Sequence, residues 1–125
     1  MIVDAVTEYM EADGIGVIGK TLFVGEMPLN VGACVSAVPS PSPEPDKAIP
    51  YFVQEVDVWA RNPKAGDCYQ KLQDVFDLFH RAHHYTMGSY YVYLSYALGG
   101  IDDLDRDVER RKLCKVSLAF IYRAA

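Results

Sequence analysis

The sequence has little of what export, membrane insertion or a grip on nucleic acid would require. Its uncharged run at residues 85–101 carries five tyrosines, two serines and three glycines, too polar for a hydrocarbon core, so no membrane-spanning helix is expected. The first residues offer neither a positive lead nor an apolar run, and no export signal is expected from them. Only 12 Lys and Arg stand against 17 Asp and Glu, giving a net charge of −5. Without a dense basic face, specific nucleic-acid binding is disfavoured. Cysteine is scarce: Cys34, Cys68 and Cys114 are an odd number at wide spacings, which reads as buried thiols in a reducing compartment.

What is present suits a soluble globular domain. Half of the 125 residues are hydrophobic and 23% are charged, which argues against global disorder. The length supports one compact domain over residues 1–125 and hardly two. Residues 2–12 place Ile2, Val6, Tyr9 and Met10 at helical spacing, with Asp4, Glu8 and Glu11 turned away and Asp13-Gly14 as a stop. Residues 21–25 and 33–38 are short β-type runs that could pair as a hairpin. Residues 39–50 hold five of the seven prolines, and the missing amide donors predict a projecting loop. Residues 51–60 alternate as a strand with both faces partly covered. Asn62 and Pro63 suit a helix start, and residues 64–83 carry one continuous apolar helical face. Strands are predicted at 89–98 and 111–123, joined by a turn-rich connector. The order α-β-β-β-α-β-β lacks a βαβ rhythm. It predicts an α+β domain, a mostly antiparallel sheet of about five strands with two helices packed on it.

Several patterns imitate chemistry. Gly14-Ile15-Gly16-Val17-Ile18-Gly19-Lys20-Thr21 fits G-x-x-x-x-G-K-[ST], but a phosphate loop needs a strand before it and a helix after it. Here the predicted helix leads and the strand follows, so a glycine-rich helix exit is the preferred reading; a nucleotide-binding enzyme using residues 14–21 is the remote alternative. Asp103, Asp105 and Asp107 imitate the start of a calcium loop. The glycine and glutamate required later fall on Val108 and Cys114, so a solvated acidic loop is expected. His80, His83 and His84 have metal-like spacing, yet histidines at a helix C-terminus serve the macrodipole and the free carbonyls. Trp59 and the tyrosines of residues 85–96, with no basic residues interleaved, read as sheet packing and an interface. No nucleophile turn is present. No catalytic, cofactor or metal site is expected.

Leu22-Phe23-Val24-Gly25-Glu26-Met27-Pro28, followed by a short strand, a proline-rich loop, Tyr51-Phe52-Val53-Gln54-Glu55-Val56-Asp57-Val58-Trp59-Ala60-Arg61 and a helix, resembles the minor capsid or tail-terminator proteins of long-tailed bacteriophages. The likeness spans most of the chain, although serine-proline pairs stand where a glycine-containing loop is expected. It implies a structural virion protein, not an enzyme and without a cofactor, assembled in the host cytoplasm as a hexameric ring at the head-proximal end of the tail. Such a ring stops tail-tube polymerisation and joins the head-side connector. Its implied partners are copies of itself, the tail-tube protein and the connector, with DNA passing through the lumen without specific binding and no membrane involved; the acidic balance of the chain would suit such a lumen, which should repel phosphates. Another head–tail joining subunit, for head closure or tail completion, is the alternative. The expected interaction residues are Pro41, Pro43 and Pro45 of the loop, Trp59, and Asp103, Asp105 and Asp107 of the connector.

Overall fold

The computed structural model describes residues 2–40 and 51–125. Helix α1 (Ile2–Ala12) forms where the periodicity predicts it, burying Val3, Val6 and Met10. Buried Thr7 returns its hydroxyl to the Val3 carbonyl at 2.8 Å, which satisfies a polar group that burial would otherwise penalise. Gly14, at φ 84°, supplies the left-handed residue that ends the helix. Its N–H reaches the Glu11 carbonyl at 3.0 Å, and that of Ile15 reaches Met10 at 3.1 Å, the paired bonds of a Schellman stop.

Seven strands follow: β1 (Leu22–Val24), β2 (Cys34–Pro39), β3 (Phe52–Asn62), then helix α2 (Ala65–Phe79), β4 (Ala82–Met87), β5 (Tyr90–Ala97), β6 (Asp102–Leu104) and β7 (Lys112–Ala124). They make one sheet in the order β1-β2-β3-β7-β5-β4, with β6 also on β7. β7 is central. It runs antiparallel to β3 from Asn62↔Lys112 to Phe52↔Tyr122. Its other edge is shared end to end by β6, at residues 113–115, and β5, at residues 118–124.

The pairing register sorts side chains by parity. Val56, Val58 and Ala60 lie opposite Leu118, Val116 and Cys114, and all six are buried in one cluster with both helices. Cys68, Leu72, Val75 and Phe79 of α2 complete that core with Val35, Ala37, Val92 and Phe120. Both helices therefore seal the same face of the sheet. The other parity, Asp57↔Ser117 and Trp59↔Lys115, faces away from them.

The α+β class and the element order hold, with four departures. The strands number seven, because β4 and β6 add to the five expected. α2 ends at Phe79, short of His83: His80 closes it by donating its N–H to the Phe76 carbonyl at 2.8 Å, and Arg81 at φ 60° turns the chain. His83 and His84 consequently lie in a strand and not on a helix end. The β4–β5 hairpin turns through Gly88, whose φ of 61° and close approach to Ala5 leave little room for a side chain. Finally, β1 and β2 are parallel, with Leu22 opposite Val35, and do not form a hairpin. Residues 25–33 carry the chain back across the open face, a short crossover made possible by the brevity of the pairing.

Candidate protein-interaction surface

The open face is built around rings and cations. Trp59 stands outward on β3 with the Lys115 ammonium 5.4 Å from its ring. Beside it, the Ser117 hydroxyl donates to Asp57 Oδ1 at 2.7 Å. On β5 the register slips between Val92 and Leu94. This bulge keeps Val92 and Ser95 on the core side, where both are fully buried, and leaves Tyr93 and Leu94 together outside. The Arg123 guanidinium lies 4.8 Å from the Tyr91 ring and 6.0 Å from that of Tyr93. Tyr51 and Tyr91 meet Tyr93 edge-on at 6.2 and 5.2 Å, and His84 Nδ1 shares a 2.9 Å hydrogen bond with the Tyr91 hydroxyl. Among the described residues neither Lys115 nor Arg123 has a carboxylate partner.

One end of this face is clamped by two buried arginines. Arg61 and Arg111 are only 4% and 5% exposed. Arg61 donates to the carbonyls of Met27 (3.4 Å), Pro28 and Val31 (2.7 Å). Arg111 donates to Leu29 at 2.8 Å and to Asp107 Oδ2 at 2.8 Å. The Met27-Pro28 element is thus held by its backbone, while the Leu29 side chain remains 74% exposed. Burial alone would raise the Asp107 carboxyl, but hydrogen bonds from Arg111 and the Glu109 amide outweigh it and hold the pKa below its ordinary value.

Of the expected interaction residues, Trp59 sits in the aromatic surface. Asp103 lies in β6, where hydrogen bonds from Lys112 and Tyr69 depress its pKa; the hydrogen bond with Asp103, with burial adding to it, pushes Tyr69 up to about 12. Asp105 is exposed on the following turn, and Asp107 is engaged by Arg111. Pro41, Pro43 and Pro45 lie outside the described residues. Among the described residues no three metal-ligating side chains converge. His80 accepts the Ala97 N–H at 3.0 Å and stacks on Phe76, which makes it a latch between α2 and β5. The glycine-rich segment 14–21 runs from α1 into β1, and its own chain occupies its donors: Glu11 accepts the Ile18 N–H at 2.7 Å and Thr21 Oγ1 accepts that of Val17 at 3.0 Å. Burial raises the Cys68 thiol to about 12, with Cys114 adding to the effect, so it is an inert core group. The residues unforeseen individually are Tyr91, Tyr93, Lys115, Arg123 and the two clamping arginines. Their composition was visible, but the register that assembles them was not.

Half-buried aromatic rings with cations laid over them, on the sheet face that the helices leave uncovered, make this face the candidate contact surface. The chain matches the family described as "Bacteriophage tail terminator protein" over residues 9–123, and it belongs to that family. The family is one of structural proteins of the virion tail. No curated protein matches the chain.

Proposed function

We propose that this chain closes into a ring, a hexamer as the family resemblance implies, at the head-proximal end of the tail. There it stops tail-tube growth and offers the surface on which the head-side connector is joined. The role is mechanical and not catalytic, and DNA passes through the lumen without specific binding. The observation that carries this reading is the asymmetry of the sheet: one face is sealed by both helices, whereas the other presents Trp59, Tyr91 and Tyr93 with Lys115 and Arg123 laid over their rings. A subunit held between unlike neighbours needs such unlike faces. The test adds the purified protein to polymerising tail-tube subunits and measures tube lengths by electron microscopy. Tubes arrested with a ring at one end are expected. Unchanged growth, with no ring at either end, would overturn the proposal.

A further inference from the structure

A slot of about 220 Å³ opens on the uncovered face beside Trp59, between Ser36 and Val38 of β2 and the crossover residues Gly25, Glu26 and Met27. The register explains its place. Ser36 lies opposite Trp59 on one side and Lys115 lies opposite it on the other, so the slot and the Lys115 ammonium flank the indole from opposite sides. The far wall is held by its backbone. Gly25 donates its N–H to the Ala37 carbonyl at 2.9 Å, and Arg61 grips the carbonyls of Met27 and Pro28. A slot whose walls are already fixed costs little ordering when a side chain enters it.

The slot offers three kinds of group. Trp59 presents a ring that already draws one cation, Lys115, to 5.4 Å. Glu26 is exposed and is the only charged residue in the lining, and among the described residues it has no cation for a partner. Ser36 is 1% exposed, and its hydroxyl has no hydrogen-bond partner among the described residues, which costs free energy until one is supplied. The neighbouring charges are committed elsewhere: Arg61 to three carbonyls, and Asp57, opposite Val38, to the Ser117 hydroxyl. A methylene stem ending in a planar cation matches this set. An arginine can lay its stem on Met27 and Val38, stack its guanidinium on the indole, pair with Glu26 and keep an N–H for Ser36. A lysine would meet the carboxylate without the planar stack, and an apolar side chain would leave Glu26 and Ser36 unpaired.

We infer that the slot beside Trp59 receives an arginine side chain of the protein that docks on the open face. The inference rests on the proposed contact role of that face and names the chemistry of the partner's anchor. It also gives the arginine clamp a purpose beyond stability. By holding residues 27–31 through their carbonyls, Arg61 and Arg111 fix the wall from which Glu26 meets the incoming cation.

Trp59 is the sole tryptophan of the chain, so indole fluorescence reports on the slot. The test titrates the protein with acetyl-Gly-Arg-Gly-amide and with the citrulline analogue, which keeps the shape and lacks the charge. A saturable change is expected with the arginine peptide alone, about tenfold weaker in Glu26→Gln and also weakened in Ser36→Ala, with both variants folded by circular dichroism. In the tube-growth assay Glu26→Gln should need about tenfold more protein to cap the same share of tubes. Equal binding of the two peptides, or of neither, would overturn the inference. So would full capping by Glu26→Gln despite weakened peptide binding, and in that case the terminator reading would stand. A wild-type chain that binds the arginine peptide but caps no tubes would remove the terminator reading and leave the slot an arginine site.

Discussion

The two faces of the sheet are built from different chemistry. Toward the helices the side chains are aliphatic and closely interlocked: Val56, Val58, Val116 and Leu118, with Phe120 edge-on to Phe79 at 5.3 Å. Away from the helices they are aromatic, charged and mutually engaged, with Lys115 over Trp59, Arg123 over Tyr91 and Ser117 on Asp57. Parity along β3 and β7 separates the two sets, so neighbouring residues serve opposite purposes. The first face holds the chain folded, and under the proposed function the second is the one that meets partners. Stability and recognition should therefore be separable by single substitutions one residue apart.

The largest effect should come from the sealed face. Phe120→Ala, at a fully buried site, is expected to cost about 3–5 kcal/mol in urea unfolding, whereas Tyr93→Ala on the open face should stay below about 1 kcal/mol. Equal losses would erase the distinction. Next comes the clamp, where the buried Arg61 and Arg111 hold one end of the open face. Arg111→Leu removes charge-assisted bonds to Leu29 and Asp107 and should cost about 2–3 kcal/mol. It should also free the turn carrying Val108, seen as faster amide exchange at Glu109 and Arg110. Trp59→Ala should leave unfolding within about 1 kcal/mol of the parent while tube capping is lost; retained capping would remove Trp59 from the surface. The smallest effect is acid sensitivity. The Asp103 and Asp107 carboxyls are held below their ordinary 3.8, so their contribution is complete above that pH and fades as pH falls through the lower folded values. Thermal melts should decline below about pH 4, and less steeply in Asp107→Asn.

Strong periodicity made α1, β3, α2 and β7 legible in the sequence, because a long apolar stripe of fixed period leaves few alternatives. β6 was not legible. Asp102-Asp103-Leu104 has no strand character of its own and is a strand because the edge of β7 supplies partners and Lys112 neutralises Asp103. β4 was hidden by its histidines and by an α2 stripe that seemed to continue into it, although the Met87-Gly88-Ser89-Tyr90 turn marked its far end. The direction of β1 relative to β2 is set by Arg61 and Arg111 gripping residues 27–31, a contact between segments more than thirty positions apart that no local pattern encodes. The surface was half visible. Trp59 and the tyrosine cluster stood out by composition, while the bulge at Tyr93 and the pairing of cations with rings depend on register. The acids read as an interaction site proved to be partly structural, with Asp107 holding its own turn.

The position of β7 also governs when the protein can form. Its neighbours β3, β5 and β6 are all made earlier, yet β3 and β5 each fill their second edge only on this strand, and β6 pairs with no other among the described residues. A nascent chain lacking residues 112–124 has two sheet fragments and two half-covered helices, with no shared centre to join them. Folding should therefore wait until that segment clears the ribosome and then proceed in one late, long-range step. Surfaces that depend on the finished sheet cannot appear on incomplete chains, which under the proposed function would keep unfinished subunits out of a tail.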